Sequence, residues 1–320
     1  MLYPLILEPI LAPKPWGGDR LAAYGKAVAA GDRIGESWEV ADLDLDEFGT
    51  VPFGKSQVGN GPLAGETLRG LMTEHGVELL GAAAGLGQFP LLIKLLDARE
   101  ALSVQVHPTA DFVARHPDTH MKTESWYVVE AESDAFIYKG FRPGTQPSDI
   151  ARTAGTPELV GYLQTIPVSA GDIHHLPAGT VHALGSGILV AEVQTPSDTT
   201  FRLYDWTDDP GRPPRRLQIA EALACLDYSA PPQADPIELG PTVRSLIHTD
   251  DYWIHEHRSP GGTLAIDPGP GLRVFMILEG TVAVGAVSAG IGSTVPVPAS
   301  TPSVVRAETT AIVLEIGLAG

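Results

Sequence analysis

Apolar positions along this chain come in short bursts punctuated by glycine and proline, a pattern that predicts short strands joined by turns. Residues 1–12 are mostly apolar and predict an opening strand. The stretch KPWGGDRL that follows predicts a tight aromatic turn around Trp16 and the Gly17–Gly18 pair. Gly35–Asp42 (GESWEVAD) alternates, so Trp38 and Glu39 fall on opposite faces of a strand. Leu68, Leu71, Met72 and Leu79 recur at helical spacing and predict a helix over residues 66–81, with the glycine- and alanine-rich GAAAGLG as a loop after it. Residues 89–106 are strand-like apart from a break at Asp97–Glu100. Further strands are predicted at Ser125–Glu130, Ala135–Tyr138, Ile150–Ala154, Leu159–Ile166 and Ile188–Gln194. Arg215–Tyr228 predicts a second helix, Pro231–Pro232 a linker, and short strands return after residue 235. The fold class is therefore mainly β with a few helices, an antiparallel barrel or sandwich architecture divided into residues 1–234 and 235–320.

The two parts share a pattern. FMILEG (Phe275–Gly280) repeats WYVVEA (Trp126–Ala131), and GSTVPVPASTPS (Gly292–Ser303) repeats GDIHHLPAGTVH (Gly171–His182), glycine on glycine and proline on proline. In that register Ser303 stands for His182 and Arg273 for Glu124, while His255 and His257 lie near the places of Gln105 and His107.

Charge narrows the partners. A formal net charge of −18 leaves no basic surplus to displace counterions, which argues against nucleic acid. A small anionic substrate would need a local cluster of Lys and Arg. The single cysteine, Cys225, excludes an internal disulfide and fits a reducing, cytoplasmic compartment. The apolar N-terminus lacks a basic flank and is broken by Pro4 and Pro9, so it reads as strand and extended chain rather than signal peptide. No apolar run approaches the length of a membrane span.

The chemistry concentrates in two stretches. Gly171–His182 reads as strand, Pro-x-Gly turn and strand, and the turn aims His182 inward. Upstream, Gln105 and His107 share one face of a strand, and Glu124 opens another. Together they offer two imidazoles, an amide oxygen and a carboxylate, a thiolate-free set that suits zinc or a similar first-row divalent ion. Both spacings resemble the metal motifs of the cupin barrels. By that likeness the chain is two cupin-like (jelly-roll) barrels, the N-terminal one carrying the metal site and the C-terminal one lacking a complete site.

Six segments, PWGGDRL, IGESWEV, PLLIKLLDAREALSVQVHP, KTESWYVVE, PAGTVHAL and AEVQTPSDTTFRLYDW, resemble the type I mannose-6-phosphate isomerases, above all their short bacterial class. The resemblance implies a zinc enzyme that interconverts mannose 6-phosphate and fructose 6-phosphate, with Gln105, His107, Glu124 and His182 as ligands of one divalent metal per chain. It implies active-site roles for Lys94, Lys122, Glu192, Asp198 and Arg202, and Trp16 joins Lys94 and Asp198 as a substrate-binding candidate. Longer members carry a Tyr two residues after the last His ligand; here that place holds Leu184.

Residue chemistry assigns candidate roles. Isomerisation through an enediol needs an electrophile at the sugar oxygens and a base at carbon. Glu192, on the apolar strand ILVAEVQ, is either that base or a rim carboxylate paired with Arg202. Lys122, two residues before Glu124, and Arg202, on TTFRLYDW, are either catalytic cations or phosphate ligands; Arg202 is alternatively an ion pair of Asp198 or Asp205. Lys94, alone in its apolar run, is a surface lysine or a charge directed into a cavity. A metal oxygenase, a free-mannose isomerase and a non-catalytic sugar-binding barrel are the competing functions.

Overall fold

The computed structural model describes residues 2–44, 54–206, 215–260, 264–267 and 269–319. The N-terminal part runs β1 (Ile10–Gly18), β2 (Ile34–Val40), α1 (Leu68–Leu80), β3 (Leu92–Ala98), β4 (Val104–Val106), α2 (Ala110–Val113), β5 (Glu124–Ala131) and β6 (Phe136–Phe141). It continues with α3 (Pro147–Thr153), β7 (Leu163–Pro167), β8 (Ile173–Leu176), β9 (His182–Leu184), β10 (Ile188–Gln194), β11 (Phe201–Tyr204) and α4 (Ile219–Cys225). The C-terminal part is all strand: β12 (Ile237–Gly240), β13 (Val243–His248), β14 (Tyr252–Ser259), β15 (Ala265–Ile266), β16 (Arg273–Glu279), β17 (Thr281–Val284), β18 (Val287–Gly290), β19 (Thr294–Val297), β20 (Val305–Ala307) and β21 (Ala311–Leu318).

Four antiparallel sheets result. One has the order β1-β2-β3-β10-β5-β8, and a second, β11-β4-β9-β6-β7, faces it. The C-terminal sheets are β12-β13-β14-β21-β16-β19 and β15-β20-β17-β18. All seven residues of β3 and of β10 are buried, because one face looks between the first two sheets and the other onto the C-terminal strands. Ile93, Leu95, Leu189, Ala191 and Val193 join Ile254, Val274, Met276, Leu314 and Ile316 in one apolar cluster that fuses the two parts. Two polar links cross that junction. The Tyr252 hydroxyl donates to the Val193 carbonyl (3.0 Å) and shares a hydrogen bond with Ser125 Oγ (2.9 Å). Buried Lys26 bridges Glu39 (2.7 Å) and the Gly292 carbonyl (2.7 Å). The N-terminal segment also crosses over, with Leu5 N donating to the Pro296 carbonyl at 2.9 Å.

The repeat read from sequence holds at the level of register. Glu124 pairs with Leu176 as Arg273 pairs with Val297. Gln194 pairs with Glu124 as Gly317 pairs with Arg273. The histidine pair, however, moves. Glu192 faces Lys94 on β3, and its counterpart Glu315 faces His255 on β14. His255 therefore stands at the place of Lys94 and His257 at that of Leu96, not near Gln105 and His107.

Several local expectations are corrected. Residues 2–9 are extended with a single bridge at Leu7, and the first strand starts at Ile10. Trp16, Gly17 and Gly18 lie inside that strand rather than in a turn. The glycines are there for close approach: a Cβ on Gly17 would overlap the Gly35 amide, and one on Gly18 would meet the Asp97 carboxylate at 2.5 Å. Ile150–Ala154 is helical, since Pro147 at the first turn and a reciprocal Gln146–Asp149 capping box start a helix there. Leu159–Ile166 begins as a 3-10 turn and becomes strand only at Leu163. The second helix shrinks to Ile219–Cys225, and GAAAGLG forms a 3-10 turn over Gly81–Leu86. The linker is anchored, with Lys139 donating to the Pro232 carbonyl at 2.8 Å. No helix among the described residues is long and apolar enough to cross a membrane. The crowding at Gly17 makes a prediction: Gly17→Ala should cost about 1–3 kcal/mol of stability, as overpacking does. A urea midpoint equal to that of the wild type would contradict it.

Candidate metal and active site

Two strands of the second sheet and one of the first bring the metal candidates together. Gln105 lies on β4 opposite His182 on β9. His107 follows directly after β4, and Glu124 is the first residue of β5. The Pro177–Gly179 turn holds the approach to β9: Thr180 N donates to the Pro177 carbonyl (3.0 Å), and Gly179 N to the His107 carbonyl (3.1 Å). Gly179 has φ 88°, and a Cβ there would sit 2.9 Å from the Cys225 carbonyl oxygen, so glycine is required twice over.

The donor geometry suits a metal. His107 Nε2 lies 3.2 Å from Glu124 Oε2, and His182 Nε2 lies 3.2 Å from Glu124 Oε1. The ligand atoms of the three residues all fall within 4.8 Å of one another. His107 Nδ1 donates to the Thr199 carbonyl (3.0 Å) and His182 Nδ1 to the Thr180 carbonyl (2.9 Å). Those acceptors put the proton on Nδ1 and leave each Nε2 lone pair turned inward. His107 Nε2 and both Glu124 oxygens are buried without a hydrogen bond. A divalent ion with N/O preference fits such orphaned donors. Gln105 Nε2 lies 3.3 Å from His182 Nε2, while its Oε1 accepts from Ser103 Oγ. A half-turn of the amide exchanges the two atoms and brings oxygen to the cluster.

Charge is balanced around this cluster. Burial opposes ionisation of Glu124, but Lys122, with Nζ at 2.8 Å, and the two imidazoles hold its carboxyl well below the usual range. Burial and Lys122 push the His107 imidazole down to about 3, so it stays neutral and free to coordinate.

A second polar group adjoins the first on the same face. Lys94, only 2% exposed, pairs with Asp198 (2.9 Å), approaches Glu36 (3.5 Å) and Glu192 (3.9 Å), and lies over the Trp38 ring at 4.5 Å. It is a buried charge, not a surface lysine. Burial disfavours its ammonium, yet Asp198, Glu36 and Glu192 outweigh that and raise its pKa. Glu192 accepts from Trp126 Nε1 (3.1 Å). Burial and the neighbouring Glu124 charge push its carboxyl up to about 8.

Neither ion pair considered for Arg202 forms. Asp198 serves Lys94, and Asp205 holds Arg215 at 2.6 Å. Among the described residues Arg202 has no carboxylate partner, its Nε is buried without a hydrogen bond, and burial lowers its pKa. Its backbone is clamped by Gln218, which accepts from Arg202 N (3.1 Å) and donates its own N–H to the Arg202 carbonyl (3.0 Å). Trp16 is placed differently from the other candidates: it packs in an apolar cluster with Leu96, Leu102 and Trp126, and its ring fills the space a Cβ on Gly35 would need.

The structure also adds residues that the motif reading passed over. Glu36 accepts from Trp38 Nε1 (2.7 Å) and pairs with Lys14 (3.1 Å) beside Lys94. Lys14 most strongly, and Lys94 with it, overcome burial and lower the Glu36 pKa. The signal was present in the alternation of GESWEV, where Glu36 and Trp38 share a face.

The chain is similar to known proteins over most of its length. The family described as phosphomannose isomerase type I, catalytic domain, matches residues 5–134. A mannose-6-phosphate isomerase of Streptococcus mutans is 34% identical over 291 residues, which cover 89% of this chain and 88% of that protein. The mannose-6-phosphate isomerase ManA of Bacillus subtilis is 36% identical over 233 residues, 72% of this chain and 70% of its own. A crystal structure of the mannose 6-phosphate isomerase from Bacillus subtilis superposes with a TM-score of 0.85 at 26% identity, covering 98% of this chain and 99% of that one. With that extent of similarity on both chains, the protein belongs to the type I phosphomannose isomerases, a family of aldose–ketose isomerases.

Proposed function

We propose that this protein interconverts mannose 6-phosphate and fructose 6-phosphate through an enediol, with one catalytic divalent metal, zinc, held by Gln105, His107, Glu124 and His182. The observation that carries this reading is the buried cluster of His107 Nε2 and the two Glu124 oxygens, free of hydrogen bonds, beside a carboxyl with a raised pKa and an arginine with no carboxylate partner among the described residues. When bound, the metal supplies Lewis acidity toward the sugar oxygens. Glu192 is the base that moves the proton between C1 and C2, since its raised pKa matches that task near neutral pH. Arg202 and Lys122 steady the oxygen on which charge develops, and Lys94, positioned by Asp198 and Glu36, orients the sugar. Trp16 supports the pocket by packing beneath it.

In the same reading each facing pair of sheets is a cupin-like barrel, residues 1–234 forming the catalytic unit and 235–320 a second, non-catalytic one. The phosphorylated sugar is the small-molecule partner, and the setting is cytoplasmic. A coupled assay tests the substrate. With a net charge of −18 opposing an anion at long range, local cations must over-compensate, so kcat/KM for mannose 6-phosphate should exceed that for free mannose by about 10² or more. Equal values would remove the phosphate site.

Glu192 makes a pH prediction that does not depend on turnover. Its folded pKa of about 8 lies above the usual 4.5, so between those values the folded chain holds a proton that the unfolded chain has released. Its contribution to stability is full below pH 4.5 and declines as pH rises through 8. Chelator-treated wild type should therefore lose more stability between pH 5 and 8 than chelator-treated Glu192→Gln. Parallel urea midpoints for the two proteins would show that Glu192 is already ionised across this range.

A further inference from the structure

We infer that the C-terminal part carries a second divalent metal site, built from His255, His257 and Glu315. The expectation of one metal per chain rested on two histidines without a third strong ligand. The strand register supplies that ligand, because β14 pairs with β21 so that His255 faces Glu315. The ligand atoms of the three residues lie within 4.8 Å of one another, as those of His107, Glu124 and His182 do. His257 Nε2 is 2.7 Å from Glu315 Oε2. His257 and Glu315 are 5% and 4% exposed, and half-buried His255 gives the cluster a way in.

Arg273 is the apparent objection, since a cation beside a metal repels it. Arg273 Nη1 engages the other carboxylate oxygen, Glu315 Oε1, at 2.6 Å and the Asp267 carbonyl at 3.0 Å. The first cluster also carries a cation on its carboxylate, with Lys122 Nζ 2.8 Å from Glu124 Oε2, the oxygen that His107 Nε2 faces at 3.2 Å. A cation on the carboxylate is thus common to both clusters, and in the second it leaves Oε2, the oxygen facing His257, to a metal.

Two further features favour a metal over a closed ion pair. His257 Nε2 donates to Glu315 Oε2 (2.7 Å), which leaves Nδ1 buried without a hydrogen bond and with a lone pair that no protein donor uses. The His255 ring is held against Trp253 at 4.5 Å between centroids, and Trp253 in turn occupies the space a Cβ on Gly317 would need. A fixed imidazole, a second imidazole and a carboxylate suit zinc, cobalt(II) or nickel(II), with water completing the shell; the nitrogen ligands disfavour calcium and magnesium. Such an ion ties β14 to β21 and stabilises the C-terminal sheets, in a different pair of sheets from the isomerase site.

The test is a cobalt(II) titration of the chelator-stripped full chain, read by visible absorption and by metal analysis after gel filtration. Wild type should bind two equivalents. His255→Ala, at a half-exposed position the fold tolerates, should bind one, and so should His107→Ala/His182→Ala. Zinc should raise the Tm of His107→Ala/His182→Ala, and adding His255→Ala should erase that rise. One equivalent in wild type, two in His255→Ala, or a zinc-dependent Tm that survives His255→Ala would each overturn the second site. Failure of the isomerase reading is separate: it would show as loss of no metal and no turnover in His107→Ala/His182→Ala, whatever happens at His255.

Discussion

Removing the metal proposed for the His107–Glu124–His182 cluster is expected to end turnover. Chelator-stripped protein should fall by about 10³-fold or more in kcat, the scale of a lost Lewis acid. Zinc should restore it. His107→Ala should lose activity to the same extent and should not recover with zinc at concentrations that rescue the stripped wild type. The physical reason is local. His107 Nε2 is directed at Glu124 by the Thr199 carbonyl behind it, and Lys122, the cation on the same carboxylate oxygen, cannot coordinate while charged. The measurement pairs coupled-assay kinetics with metal content on the same samples. Full activity in protein shown to be metal-free would sink the metal mechanism.

Arg202→Ala is the second large effect. As the one site cation without a carboxylate partner among the described residues, Arg202 is available to a substrate oxygen in a way that Lys94 and Lys122 are not. If it acts on the developing oxyanion, kcat should fall by about 10²–10³, as for other preorganised donors. Lysine at this position should recover little, because an ammonium lacks the planar fork. Stability should move the other way. Arg202 Nε is buried without a hydrogen bond and has no partner among the described residues, which costs free energy in the folded state, so Arg202→Ala should hold or raise Tm while activity collapses. A loss confined to KM would reassign Arg202 to phosphate binding, and wild-type kinetics would make it structural.

Much of the site was legible because its parts are short-range. The spacing Gln105-x-His107, the strand start at Glu124 and the Pro-x-Gly turn before His182 each depend on a few adjacent residues, and each folds as the local pattern requires. The helix over residues 68–80 was legible for the same reason, its apolar positions recurring at helical spacing. Ile150–Ala154 was misread because an apolar run that short fits either period, and the decisive signals, Pro147 and the Gln146–Asp149 box, lie ahead of it.

Sequence alone determined the mainly β class, the positions of the candidate ligands and the internal repeat, since all of these follow from periodicity and turn chemistry within one segment. Tertiary structure decided which charges meet. Lys94 finds Asp198 across 104 residues, Glu36 joins them from another strand, and Arg202 has no carboxylate partner among the described residues, Asp198 and Asp205 being engaged elsewhere. It also moved His255 and His257 from the places of Gln105 and His107 to those of Lys94 and Leu96, and brought Glu315 to them. Pairing between strands far apart in sequence is set by sheet register and by the burial of both faces of β3 and β10. No local pattern encodes that choice, because a side chain's partner depends on which strand lies alongside it, and that is fixed only when the sheets close on each other.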